Sequence, residues 1–341
     1  MEQKDSKFNT LFIEIGTGVI FLGIIGFAIW FVPKKIAKQK KEISSIPTSP
    51  IKTQQNLSET WTDEGVRIPG NYADAEIIKI GEEYRIYYAL EPEVQGFNGQ
   101  IYTATSKDGL TWSEGKEIMK QATFPSVLKL EDPSTGSGQV KFRMYYQGSI
   151  PGNPPQNGIA SAISDDGVNW TQEEDLRIKQ GQKPGYDDEN VGAPTVEMLS
   201  DGTFLMVYRG SAGENSYGKK DFNGTKPAPK DYLISATSKD GLKFEPKGIV
   251  VDSGNEKMRD QIDGPELVID GDKIKLYCNS YEGVYILELD KTGKAANKPQ
   301  IIIKSTGPDY APADVTVIKM NEIWRMYYGL HTKGIHSARR M

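Results

Sequence analysis

The chain has 341 residues, of which 37% are hydrophobic and 26% charged, and its formal net charge is −5. Its single cysteine, Cys278, excludes an internal disulfide framework, and with only His331 and His336 a His-rich metal site or a Ser-His-Asp hydrolase is a poor reading. The acidic excess lies beyond residue 59 and no basic cluster occurs there, so nucleic acid is not an expected partner.

Residues 1–10 read as a short tail. Ile15 to Val32, IGTGVIFLGIIGFAIWFV, is 18 residues without a charge. That is long enough to cross a bilayer as a helix, and a single transmembrane anchor is predicted over 11–33. No small-residue cleavage site follows it, and its charges lie on the wrong side for a signal peptide. Five lysines follow the run (Lys34, Lys35, Lys38, Lys40, Lys41) and two precede it (Lys4, Lys7), a bias toward a cytoplasmic C-terminal side. Residues 34–58 turn from basic to polar, rich in Ser, Pro, Thr and Gln, and read as a linker.

From 59 to 341 the sequence repeats itself. Five segments share one pattern of strand, turn, and a second strand ending in aromatic residues: DAEIIKIGEEYRIYYAL (74–90), FPSVLKLEDPSTGSGQVKFRMYYQG (124–148), GAPTVEMLSDGTFLMVYRG (192–210), DGPELVIDGDKIKLYCNS (263–280) and DVTVIKMNEIWRMYYGL (314–330). The first and last align without a gap, Asp74 with Asp314 and Tyr87-Tyr88 with Tyr327-Tyr328. After the first three come TATSKDGLTW, SAISDDGVNW and SATSKDGLKF, each a short alternating strand followed by Ser-x-Asp-Gly and an aromatic. Asp-Gly suits a tight turn because glycine accepts positive φ. These aspartates are therefore turn formers rather than catalysts, and the aromatic after each turn is expected to open the next strand.

Five units of four short strands predict an all-β, five-bladed propeller. The fifth unit ends at GIHSARRM, one strand short. TWTDEGVRIP (60–69) reads like the fourth strand TWSEGKEIMK (111–120), so the N-terminal strand is expected to complete the last blade and close the ring, leaving few open edges.

The segments DAEIIKIGEEYRIYY and DGPELVIDGDKIKLY resemble inner strands of the five-bladed glycoside hydrolases, the arabinanase, xylosidase and invertase-like enzymes of families 43 and 32. The resemblance spans about residues 60–341. It implies a sugar bound in a funnel over the central channel and carboxylates at the starts of inner strands. One acts as acid on the leaving oxygen; the other activates water or attacks the sugar. A separation of about 6.5–9.5 Å gives inversion, and about 5–5.5 Å retention. In family 43 the first-blade motif is Asp-Pro-x-Ile/Val. Here it is Asp74-Ala75-Glu76-Ile77, so the resemblance gives Asp74 the place of base or nucleophile. The fourth-blade motif Glu-Gly-Pro is Asp263-Gly264-Pro265, giving Asp263 the place of the acid, one methylene short. The third-blade Asp-Pro is Ala193-Pro194, so the carboxylate that orients the acid is missing. Asp314, or one of Asp187, Asp188 and Glu189, is a candidate to compensate.

The substrate-binding candidates are Tyr72, Phe124, Tyr186, Asp188, Arg209, Glu266 and Tyr310. Tyr72, Phe124, Tyr186 and Tyr310 precede or open inner strands, where they could stack on a sugar or pack between blades. Arg209 could meet an anionic group or a hydroxyl. The glycine-rich loop from Ser211 to Lys230 is a candidate funnel wall. No cofactor or metal is expected, a structural calcium on such carboxylates being the one open alternative. The function expected is a membrane-anchored hydrolase of glycosidic bonds whose partners are a carbohydrate and, through the helix, a membrane. The alternative is a propeller that binds carbohydrate or another partner without catalysis. Anchored glycan-degrading enzymes usually face outward, so the resemblance points the propeller outside the cell, against the lysine bias.

Overall fold

The structure, a computed structural model, describes residues 60–90, 99–131, 140–151, 155–181, 185–213, 216–220, 224–307, 311–330 and 332–340. The predicted anchor, the linker and Tyr310 lie outside the described residues. Among the described residues no helix is long and apolar enough to cross a membrane.

Twenty-one strands form five antiparallel sheets. After β1 (Thr62–Ile68), the first blade is β2 (Tyr72–Ile80), β3 (Glu83–Leu90), β4 (Gln100–Ser106) and β5 (Lys116–Lys120). The second is β6 (Ala122–Glu131), β7 (Val140–Ile150) and β8 (Gln156–Ser164), with the short β9 (Thr171–Gln172) and β10 (Ile178–Lys179) both paired to β8. The third is β11 (Asn190–Met198), β12 (Phe204–Ala212), β13 (Lys230–Ser238) and β14 (Glu245–Asp252). The fourth is β15 (Ile262–Asp270), β16 (Lys273–Ser280), β17 (Gly283–Leu289) and β18 (Gln300–Lys304). The fifth is β19 (Pro312–Met320), β20 (Ile323–Leu330) and β21 (Gly334–Arg340), and its outer strand is β1, paired antiparallel with β21. The innermost strands β2, β6, β11, β15 and β19 neighbour one another in a circle, β19 returning to β2.

The core is divided among the five seams. Tyr87 of the first blade packs with Val127 and Met144 of the second. Leu128 and Tyr145 pack with Val196 and Met206 of the third, and Leu205 and Val207 with Leu267 and Leu276 of the fourth. Val268 and Tyr277 meet Val317 and Met326 of the fifth, and Met320 and Tyr327 meet Ile77 and Ile86 of the first. Both faces of an inner strand are thus buried, which is why these strands read as near-continuous apolar runs.

The thrice-repeated phrase is a clasp at these seams. Within each copy the aspartate accepts backbone N–H groups two and three residues on: Asp108 from Leu110 and Thr111, both at 2.8 Å, Asp166 from Val168 and Asn169, and Asp240 from Leu242 and Lys243. These bonds hold the Asp108 and Asp240 carboxyls down to about 2. The glycine that follows each aspartate sits at positive φ, near 70° in all three copies. Its carbonyl accepts the hydroxyl of a tyrosine from the preceding blade: Tyr327 to Gly109, Tyr87 to Gly167, and Tyr145 to Gly241. The closing aromatic packs edge-on against the same tyrosine, Trp112 on Tyr327, Trp170 on Tyr87 and Phe244 on Tyr145, with centroids 5.7–5.9 Å apart. Trp112 does not open the next strand; β5 begins at Lys116, because the indole is spent on this seam.

Candidate functional site

Every inner strand carries the same irregularity one turn of pleat from its start. The pairing with the second strand slips between Ala73 and Glu76, Thr123 and Ser126, Gly192 and Thr195, Asp263 and Glu266, and Ala313 and Thr316. At each slip one residue has positive φ: Asp74 (52°), Phe124 (49°), Ala193 (45°), Gly264 (52°) and Asp314 (51°). A bulge of this kind bends the strand and re-aims its side chains. Here it turns five equivalent positions toward the axis.

The bulges are locked by polar side chains. Asp74 accepts the Phe124 N–H at 3.3 Å, Gln147 the Ala193 N–H at 3.2 Å, and Asn279 the Asp314 N–H at 3.0 Å. Asp263 accepts the N–H of its neighbour Gly264 at 2.9 Å. Gly264 is required twice over. A Cβ there would lie 2.3 Å from Asn279 Oδ1 and 2.6 Å from Asp314 Oδ1, on a backbone that L-residues rarely adopt.

Two residues further along each strand a second ring forms from Glu76, Ser126, Thr195, Glu266 and Thr316. Each of the first four accepts a backbone N–H from the next blade: Val127 to Glu76 (2.9 Å), Val196 to Ser126 (3.0 Å), Leu267 to Thr195 (2.9 Å) and Val317 to Glu266 (3.1 Å). Thr316 completes the circle, 2.9 Å from Glu266 Oε1 and 3.4 Å from Glu76 Oε2. A threonine has one proton to donate. Serving both carboxyl groups therefore requires a proton on one of them. Burial does push the Glu76 carboxyl up to about 8, with Glu197 adding repulsion, and raises Glu266 well above its usual range. Glu197, further along β11, is pushed up to about 7 by burial.

The two rings enclose a narrow axial pocket of about 20 Å³, room for about one water. Among its lining residues are Asp74, Glu76, Phe124, Ala193, Glu266 and Asp314. Asp263 is beside it, one residue before Gly264, and forms an ion pair with Arg209. Arg209 reaches over the Phe124 ring, 5.8 Å from its centroid, and toward Gln147 Oε1 at 3.4 Å. Burial raises the Asp263 carboxyl while the Arg209 charge pulls it down. Arg209 pairs in register with Gly192, next to the alanine where the resemblance expects a carboxylate. A cation thus stands where the third carboxylate is missing.

Of the other expected residues, Tyr72 is not among those lining the axial pocket. Its ring packs against Tyr88 and Tyr102, at 5.1 and 5.6 Å. Tyr186 is exposed and lies edge-on to Tyr232. Asp188 is buried and accepts the Gly185 N–H at 3.1 Å, a loop-holding bond. Asp187 takes the Tyr208 hydroxyl at 3.1 Å. Tyr310 lies outside the described residues. Among the described residues no group of three or more His, Cys, Asp or Glu side chains is arranged to hold a metal ion. Gln147 and Asn279 were not singled out from sequence; their signal is a polar residue closing the aromatic end of a second strand, in YYQ and YCN.

Comparison with solved structures decides the fold. The complex of BT0996 with RGII superposes with a TM-score of 0.60 at 14% identity, over 84% of this protein and 92% of that one. A thermostable family-43 glycoside hydrolase gives 0.57 at 13% identity, over 79% and 88%. The Bombyx mori GH32 β-fructofuranosidase BmSUC1 gives 0.55 at 13%, over 92% and 66%. The fold is that of the five-bladed glycoside hydrolases. No family model matches the sequence, and no curated protein matches it. Within this glycoside-hydrolase-type propeller, Asp74, Phe124, Glu266 and Asp314 meet at the axial pocket, with the Arg209–Asp263 pair beside them.

Proposed function

We propose that this propeller binds a glycan over its axial pocket and hydrolyses glycosidic bonds. Asp74 is the base or nucleophile and Asp263 the acid, with Asp314 as the supporting carboxylate. The observation that carries the reading is the gathering of Asp74 and Asp314 on one pocket, at equivalent bulges, with Asp263 one residue before a third bulge. Breaking the bond needs a proton donor and a second carboxylate facing one sugar. Burial keeps Asp263 more readily protonated than an exposed aspartate, the direction an acid requires. Arg209 must shift from Asp263 when the leaving oxygen arrives, and the sugar hydroxyls or an anionic group would then take the guanidinium. Phe124 offers a ring face beside it. The uncharged run 15–32 would hold the propeller at a membrane, outside the cell.

A second reading, binding without hydrolysis, is favoured by Ala193 and by the occupation of Asp263 by Arg209. Assaying the full chain on a panel of aryl glycosides and polysaccharides, beside Asp74→Asn and Asp263→Asn, separates the two. Hydrolysis lost in both variants with folding intact establishes the enzyme. Saturable binding that survives both substitutions, with no turnover, establishes the binder.

A further inference from the structure

A second depression, of about 580 Å³, is lined by Tyr217, Glu256, Lys257, Arg259, Tyr281 and Glu282. None of these residues belongs to the axial pocket. Strand register puts it at the same end of the fourth blade as Asp263. Asp263 pairs with Asn279, and Tyr281 is two residues further, about 7 Å at the rise of a strand. Arg259 stands four residues before Asp263, in the segment joining β14 to β15.

The depression is held from beneath. Asp260 is fully buried, and its carboxylate accepts the Ser216 and Tyr217 N–H groups at 2.6 and 3.0 Å. Lys219 donates to the Asp260 carbonyl at 3.0 Å and pairs with Asp231 at 2.7 Å. Arg259 and Asp260 both have positive φ, 55° and 60°. Two successive non-glycine residues in that region persist only where the surroundings over-determine them. Backbone bonds do so here, from Arg259 N to Asn255 O at 2.8 Å and from Asp260 N to Ser253 O at 3.0 Å.

This framework presents the Arg259 guanidinium 4.4 Å from the centroid of the Tyr281 ring. Tyr281 is 54% exposed and Tyr217 37%. Glu256 and Glu282 line the same depression, yet among the described residues no carboxylate pairs with Arg259; Glu282 instead accepts the Tyr285 hydroxyl at 3.3 Å. A guanidinium stacked on a ring keeps its N–H edges for a planar anion, and carboxylate is the group that matches them bidentately. Exposed tyrosine faces beside it suit a sugar ring. We propose that this depression is a saccharide subsite for a carboxylate-bearing sugar unit, with Arg259 on the carboxylate and Tyr281 and Tyr217 against the ring. The proposal rests on the glycan-acting reading above and extends it to an acidic glycan.

Calorimetric titration of the full chain with trigalacturonate and with its methyl ester tests this. The two probes share a backbone and differ in charge. The acid should bind about tenfold or more tightly than the ester. Arg259→Gln should erase that preference without lowering the melting temperature, while Tyr281→Ala weakens both probes. Equal binding of the two, a preference that survives Arg259→Gln, or no binding of either overturns the subsite. Asp74→Asn should leave the preference untouched. Asp74-dependent hydrolysis of neutral glycans without an acid preference would sink the subsite and keep the hydrolase. An Arg259-dependent preference without hydrolysis of any substrate would do the reverse.

Discussion

The Tyr327 hydroxyl donates to the Gly109 carbonyl at 2.6 Å, tying the last blade to the first across 218 residues of sequence. Tyr87 and Tyr145 repeat the bond at the next two seams. Val207 holds the equivalent place on the third blade, where the fourth blade has no Ser-x-Asp-Gly copy to receive it. Tyrosine and phrase therefore occur as a pair. Replacing Tyr327, Tyr87 or Tyr145 with Phe keeps the ring packing and removes one buried bond, at about 1 kcal/mol each. Urea unfolding should show the three losses adding, since the seams share no partner. Val207→Phe, with no hydroxyl to lose and a filled seam around it, should cost through overpacking instead.

At the strand that completes the fifth blade, Arg325 binds Glu64 through two nitrogens, at 2.8 and 3.1 Å, and also donates to the Asp108 carbonyl. Both side chains are largely buried. Removing one partner of such a pair strands the other charge, at a cost of about 3–5 kcal/mol. Glu64→Ala should therefore destabilise the propeller by several kcal/mol in urea unfolding, and Glu64→Gln by much less, because the amide oxygen still accepts from Arg325. Equal effects of the two would mean that packing of the strand, not the charge, is what Glu64 supplies.

Much of this architecture is visible in the sequence because it depends on local chemistry. Asp-Gly turns and paired aromatics recur wherever a blade recurs, and Asp74 aligns with Asp314 residue for residue. The bulge is harder to see. Phe124 and Ala193 are not residues that advertise positive φ, and only superposition on Asp74, Gly264 and Asp314 shows that they share it. The polar ring is legible in hindsight as one polar residue two places after each bulge in an apolar strand. Its closure into a circle depends on neighbouring blades. The Arg209–Asp263 pair spans 54 residues and two blades, so no local pattern reports that the expected acid already has a partner. Tyr72 misled for a related reason: its place at the start of a strand is shared with the funnel residues, but its ring has Tyr88 and Tyr102 to pack on.

The ring also predicts a pH dependence. Glu76 is held neutral by burial, its carboxyl pushed up to about 8 from an ordinary 4.5. The folded protein then binds more protons than the unfolded chain between those values. Stability is fully present below about 4.5 and falls as pH rises through about 8. Glu266 and Glu197 act in the same sense. The Asp108 and Asp240 carboxyls, held at about 2, act only in strong acid. Glu76→Gln keeps the acceptor for Val127 and supplies N–H donors in place of the carboxyl proton. Melting temperatures from pH 5 to 9 should decline less steeply in this variant than in the wild type; parallel declines would remove Glu76 from the account.

Ala193 offers the sharpest test of the site. Its φ of 45° matches those of Asp74 and Asp314, 52° and 51°, so the backbone there already accepts aspartate. Aspartate tolerates the left-handed region better than alanine does. The new carboxylate would stand beside Arg209, which pairs in register with Gly192. That gives the guanidinium a second anion and loosens its hold on Asp263. Ala193→Asp should therefore fold with a change in stability within about 1 kcal/mol, since strain relief offsets burial of a paired charge. If Asp263 is an acid restrained by Arg209, glycosidase turnover should rise, and the acidic limb of the pH–rate profile should shift with the third carboxylate in place. A stable variant with unchanged turnover would show that the ion pair does not limit the chemistry. A stable variant with no turnover on any substrate that the wild type binds would favour the binding propeller.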